Sequence, residues 1–265
     1  MGLTIPIRDA LRSEGKKAAG AWLTIPSTVV ARTIANTDGV SWVVIDGEHG
    51  LITDEKYYDL ANTIADRGVS PFIRIPGDEP WMIKRALDAG AHGIVVPMVN
   101  SLDIVRKVVA ACKYPPNGVR GFGPMFTHAA GALGAQYRAA ADAETLIAVQ
   151  IEHPDSLRDV EAICKEGIDI AFIGPFDLAL SMGVEFGSQE HEDAIARILA
   201  AAKSAGKLAA IFCLTGEQSA KRFEQGFDLV SVTTDIDSIT AAFANELSAA
   251  VKASGVASAK SGYSM

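Results

Sequence analysis

Cysteine is scarce in this chain: Cys112, Cys164 and Cys213 are the only three in 265 residues, and none forms a CxxC pair. An odd count in apolar or helical settings argues against a disulfide framework and fits buried, reduced thiols of an intracellular protein. Positive charge is also in deficit, with 24 Lys and Arg against 32 Asp and Glu, and no basic run. Phosphate backbones and anionic membrane surfaces want a basic face, so nucleic-acid and membrane partners are not expected. No apolar run reaches the length of a membrane span. No basic start leads into an apolar segment at the N-terminus, so no signal peptide is expected and the expected location is cytoplasmic. A glycine-rich turn is missing too. The first strand is followed by "TIPS" (24–27), where a doubly wound nucleotide-binding sheet would place its glycines.

What the chain does have is apolar mass, 49% hydrophobic residues with a mean hydropathy of +0.20, enough for one large core. Short β-branched runs alternate with amphipathic stretches from end to end. The runs are "GAWLT" (20–24), "WVVID" (42–46), "SPFIRI" (70–75), "GIVVPM" (93–98), "LIAVQIE" (146–152), "DIAFIG" (169–174), "LAAIFC" (208–213) and "LVSVTT" (229–234). Strands this continuously apolar are covered on both faces. Eight βα units in about 250 residues predict an α/β fold, a (β/α)₈ TIM barrel, with the doubly wound sheet second. The expected organisation is one barrel domain over 1–255 and a small, polar, flexible tail over 256–265. The Gly- and Pro-rich connection 114–144 is too long for a simple loop.

In such a barrel the chemistry sits where the strands end at their C-terminal rim. Strand two ends in Asp46, Glu48 and His49, strand three in Arg74, strand five in Gln150 and Glu152, and strand six in "GPFD" with Asp177. Glu152 and Asp177 on neighbouring tips suit one hard divalent cation, Mg²⁺ or Mn²⁺, with water completing the shell. Arg74 offers a planar fork for a keto acid or a developing enolate. His49, with Asp46 expected to orient it, suits a general base. The turn at Gly174, Phe176 and Asp177 offers backbone N–H groups to a carboxylate, while Pro175 has none. Together these describe enolate chemistry on a 2-oxo acid such as pyruvate. A lysine Schiff base is the competing route, but no inward lysine lies near a strand tip, since Lys84 falls on a helix and Lys207 at the start of a strand.

The blocks "IDGEHG", "RIP", "IKRALDAGAHGIVVPMV", "KYPPNGVRGFG", "VQIE" and "FIGPFDL", in this order, resemble the metal-dependent pyruvate aldolases of the 4-hydroxy-2-oxoheptane-1,7-dioate aldolase family. That group includes 2-keto-3-deoxy sugar-acid aldolases and macrophomate synthase, and the likeness runs from residue 1 to about 250. The resemblance implies a class II aldolase, a carbon–carbon lyase cleaving 4-hydroxy-2-oxo acids to pyruvate and an aldehyde through a pyruvate enolate. The alternative it implies is oxaloacetate decarboxylation through the same enolate. A binding barrel without turnover is the remote third. The implied residues are Glu152 and Asp177 for the cation (Mg²⁺ or Mn²⁺, with Co²⁺ also accepted), Arg74 and Gln150 for pyruvate, and the pair His49 and Asp46. Glu48, Asp88 and His153 are expected around that set, with Asp88 near a neighbouring subunit's site. The family implies a homo-oligomer, a hexamer built from dimers that exchange the last helix, here 236–253. Two positions depart from the family pattern, Ala179 in place of serine and His153 in "QIEH".

Overall fold

A computed structural model describes residues 5–12, 17–129 and 134–254. Eight parallel strands close into a barrel in sequence order: β1 (Ala18–Leu23), β2 (Val40–Asp46), β3 (Ser70–Arg74), β4 (Gly93–Val96), β5 (Leu146–Ile151), β6 (Ile170–Ile173), β7 (Leu208–Phe212) and β8 (Leu229–Thr234). The expected (β/α)₈ barrel is the fold, and the doubly wound alternative is set aside by closure of β8 on β1. Most strands begin or end within two residues of the expected bounds. β4 stops at Val96, because Pro97 cannot donate a ladder hydrogen bond and Met98 adopts a left-handed backbone with φ 51°.

Period-two alternation divides the core into two shells. Val43, Ile45, Ile73, Ile94, Val149 and Ile151 face outward against the surrounding helices. Trp42, Val44, Phe72, Val95, Ala148 and Phe172 face inward and fill the barrel. Large inward rings need small residues opposite them. A Cβ at Gly20 would sit 2.3 Å from the Trp42 indole, so only glycine lets β1 pass that ring.

Helix Pro6–Leu11 was not foreseen. It sends Ile5 and Ile7 into the inner shell, and the Ile7 N–H donates to Ser70 Oγ at 3.1 Å on the N-terminal rim. That rim is therefore plugged. His92 lies there, half-buried beside Ser70, and desolvation pushes its imidazole down to about 4, as suits a structural residue. The long connection carries helices Met125–Ala129 and Gly134–Glu144. Among the described residues no helix is long and apolar enough to cross a membrane. The expected tail, 256–265, lies outside the described residues.

Candidate active site

The alternation that buries Trp42, Val44 and Phe72 inside the barrel also fixes what stands above them. Asp46 continues the inward row of β2, Arg74 that of β3, and Gln150 then Glu152 that of β5. Asp46 and Arg74 are direct register partners. A polar layer thus rests on an apolar one, and an open cavity of about 230 Å³ lies over it. Asp46, His49, Arg74, Gln150, Gly174, Phe176 and Asp177 line that cavity together with Trp22, Thr24, Phe172, Phe212 and Thr234.

Arg74 is the hub of this layer. Its Nε donates to Asp46 Oδ1 at 2.9 Å and its Nη2 to Asp46 Oδ2 at 2.6 Å, a bidentate fork on a buried carboxylate. Its Nη1 lies 3.0 Å from Glu48 Oε2 and donates to Gln150 Oε1 at 3.5 Å. The guanidinium also stands 4.7 Å over the Trp22 ring, whose Nε1 donates to Asp46 Oδ2 at 2.9 Å. Burial alone would raise the Asp46 carboxyl, but Arg74's hydrogen bonds and charge, with help from Trp22, hold it below the usual aspartate range.

One expectation needs correcting here. Asp46 does not orient the His49 ring; it accepts from the backbone N–H groups of Glu48 (3.0 Å) and His49 (3.2 Å) and so shapes the turn. The neighbour of the imidazole is Glu48, with Nε2 and Oε1 3.8 Å apart, and the ring is largely exposed over the cavity. Both oxygens of Asp46 are already taken up by the Arg74 fork, the Trp22 indole and these two backbone N–H groups.

Glu152 lies just past β5, buried at 1% exposure, and is held from two sides. The Met98 N–H donates to Oε1 at 2.7 Å, and Gln150 Nε2 donates to Oε2. The left-handed backbone of Met98, rare for a side chain of its size, aims that N–H. Burial first, and then the charges of Asp177 and Glu48, push the Glu152 carboxyl above its ordinary range. Burial likewise raises Glu48, with Asp46 and Asp177 adding repulsion against the pull of Arg74. A buried Glu152 held by neutral donors, with the charges of Asp177 and Glu48 repelling it, suits a hard cation. Gly174 supports the same reading, because a Cβ there would lie 2.1 Å from Glu152 Oε2. Among the described residues no group of three or more His, Cys, Asp or Glu side chains surrounds one point. A cation held by Glu152 and Asp177 would thus take its other oxygens from water and substrate. Gly174→Ala should keep the barrel folded by circular dichroism yet weaken Mn²⁺ binding at least about tenfold by isothermal titration. Unchanged Mn²⁺ affinity would detach Gly174 from the site.

Gly174 opens helix Pro175–Met182, whose first-turn N–H groups at Phe176 and Asp177 face the rim without intrahelical acceptors. His153 and Asp88 do not line this cavity. His153 caps helix Pro154–Arg158, its Nδ1 accepting from the Asp155 N–H at 3.1 Å. Asp88 accepts from Arg120 Nη2 at 2.7 Å. Arg120 itself is fully buried, over the rings of Tyr114 and Tyr137, and pins the long connection. Sequence reading missed Trp22, Phe172 and Phe212. The usable signal is position: each sits at or near a strand end on the inward row.

The model of the HpcH/HpaI aldolase/citrate lyase family matches residues 19–242. The hydroxypyruvate/pyruvate aldolase of Roseobacter denitrificans is 36% identical over 230 residues, covering 84% of this chain and 89% of that protein. The 2-keto-3-deoxy-L-rhamnonate aldolase of Salmonella gallinarum is 34% identical, with 98% of each chain covered. The crystal structure of a HpcH/HpaI aldolase/citrate lyase family protein from Burkholderia cenocepacia superposes with a TM-score of 0.87 at 31% identity, covering 93% of this chain and 99% of that one.

Proposed function

The chain belongs to the HpcH/HpaI aldolase/citrate lyase family, and from that premise we propose that it is a divalent-metal-dependent class II aldolase, a cytoplasmic carbon–carbon lyase. It cleaves 4-hydroxy-2-oxo acids to pyruvate and an aldehyde, or joins them. The observation that carries the reading is the buried Arg74–Gln150–Glu152 layer beneath a cavity whose rim holds His49 and Asp177.

Glu152 and Asp177 would hold the cation, Mg²⁺ or Mn²⁺ with Co²⁺ as a substitute. When bound, it would supply a Lewis acid that stabilises negative charge developing on the keto acid. Arg74, braced by Asp46 and Glu48, keeps a fixed positive charge beside the oxygen that gains charge as the enolate forms. Gln150 lies between Arg74 and Glu152 and sets the spacing of the two. The N–H groups at Phe176 and Asp177 receive the substrate carboxylate. In cleavage, His49 takes the 4-hydroxyl proton as the C3–C4 bond breaks; a proton returned to the enolate carbon completes pyruvate. No lysine is among the described residues lining the cavity, so a Schiff base has no amine to form on.

The test is direct. A 4-hydroxy-2-oxo acid incubated with the protein should release pyruvate, detected with a coupled dehydrogenase, and EDTA should stop it. Pyruvate release indifferent to EDTA would refute metal dependence. Oxaloacetate supplies the same enolate by losing CO₂, so its metal-dependent decay is the arm for the alternative activity.

The same reading includes a homo-oligomer. Helix Asp235–Ser254 exposes Ile236, Ile239, Phe243, Leu247 and Val251, spaced by three or four residues along one face. Near its start an apolar cavity of about 380 Å³ lies against Val29, Val30 and Ile34. Exchange of this helix between subunits would cover such a face. Light scattering should report a mass several times 27.9 kDa, and Phe243→Glu with Leu247→Glu should lower it. A monomeric wild type would remove the oligomer from the account.

A further inference from the structure

Building on the pyruvate-donor reading, we propose that the aromatic stack of Phe176 and Phe186 forms the acceptor subsite and takes an uncharged aromatic aldehyde. The two rings lie parallel, with centroids 4.5 Å apart and planes 10° apart. Even so they stay 44% and 43% exposed, with Phe176 lining the cavity and Phe186 stacked against it. The stack is anchored. Phe186 rests on the His191 imidazole at 5.1 Å, and that fully buried ring holds the Gly187 N–H at 3.0 Å through Nδ1. Inward, Phe176 meets Phe212 edge-on at 6.2 Å, and Phe212 meets Trp22 edge-on at 5.1 Å. One continuous aromatic surface therefore runs from the polar layer out to solvent.

Competing acceptors find little here. An aldehyde with a carboxylate tail needs a cation, and Arg74, the one Lys or Arg among the described residues lining the cavity, is committed to Asp46 and Glu48. A polyhydroxylated aldehyde needs free donors and acceptors. Neither hydroxyl lining the cavity is free to donate, because Thr24 donates to Asp235 at 2.7 Å and Thr234 to Asp237 at 2.7 Å. A flat ring, by contrast, covers exposed phenylalanine faces and gains stacking. Phe176 and Asp177 line the same cavity, so a ring over Phe176 lies within that cavity's reach of the reacting end of pyruvate. The step balances without a redox partner. Pyruvate's methyl carbon loses a proton and bonds to the aldehyde carbon, and the carbonyl electron pair moves to oxygen and takes up a proton, giving a 4-aryl-4-hydroxy-2-oxo acid.

The experiment uses the full chain with Mg²⁺ and pyruvate, and compares initial rates for benzaldehyde, glycolaldehyde and succinic semialdehyde. Benzaldehyde should have the highest kcat/KM, by about tenfold, the scale of one aromatic contact. Phe186→Ala should lower that value about tenfold through KM, with Phe186→Tyr close to wild type. Exchange of the pyruvate methyl protons without any aldehyde should be unchanged in both variants. Benzaldehyde no better than the other two, or no effect of Phe186→Ala, would overturn the subsite while leaving the donor reading standing. Absence of pyruvate exchange in the wild type would instead sink the donor reading, and the subsite with it.

Discussion

Glu152→Gln should lower turnover by at least about a thousandfold, the equivalent of roughly 4 kcal/mol of transition-state stabilisation, without destabilising the metal-free barrel. The two effects have separate causes. An amide keeps the shape and can still meet the Met98 N–H, but it is a poor ligand for a hard cation. In the metal-free protein the native carboxylate is a liability, because burial and the charges of Asp177 and Glu48 raise its pKa. A raised carboxyl pKa means that the folded state binds the proton more tightly than the unfolded one. The ionised group therefore lowers stability once the pH exceeds its ordinary 4.5, and has no effect below it. With EDTA present at pH 7, the variant's Tm should equal or exceed that of wild type, and the difference should vanish below about pH 4.5. A variant that keeps its activity after chelation removes Glu152 from the metal site.

Arg74→Lys should lose about a hundredfold or more in kcat/KM although the charge is conserved. A lysine can reach one oxygen of Asp46, but not both oxygens, Glu48 and Gln150 together. Freed from part of its pairing, the buried cluster should also cost about 1.5–3 kcal/mol of stability, or roughly 5 °C in Tm for a chain of this size. The Asp46 contribution has the opposite sign to that of Glu152. Its depressed pKa gives stability that is present above the ordinary 3.8 and lost as the pH falls through the lower folded value. The wild-type advantage over Arg74→Lys should thus persist at pH 5 and shrink only in stronger acid. Wild-type turnover in the variant would remove Arg74 from the mechanism.

Much of this was legible in the sequence, for a physical reason. Parallel strands covered on both faces read as unbroken apolar runs, so the places where Asp46, Arg74 and Gln150 interrupt them stand out. Period two then assigns all three to the inward face, as the register bears out. Partner choice was not legible. Asp46 and His49 are close in sequence, but a bidentate arginine across the β2–β3 ladder outcompetes an imidazole on a turn. Nor could spacing foresee that Met98 turns left-handed to present its N–H, since methionine has no preference for that region. His153 beside Glu152 looked like a member of the site. The chain turns after Glu152, and the ring is spent on capping the next helix. Trp22 reads as ordinary core until Asp46 and Arg74 are seen to need it as a donor and a face.

Exchange of the pyruvate methyl protons in D₂O, followed by NMR, tests the central claim most directly because it needs no aldehyde and no assumption about the acceptor. With EDTA the methyl signal should persist. Restoring Mg²⁺, Mn²⁺ or Co²⁺ should make it decay, and Glu152→Gln should abolish that decay. A methyl signal that exchanges equally well under EDTA, or that survives every metal with the wild-type protein, would contradict the account.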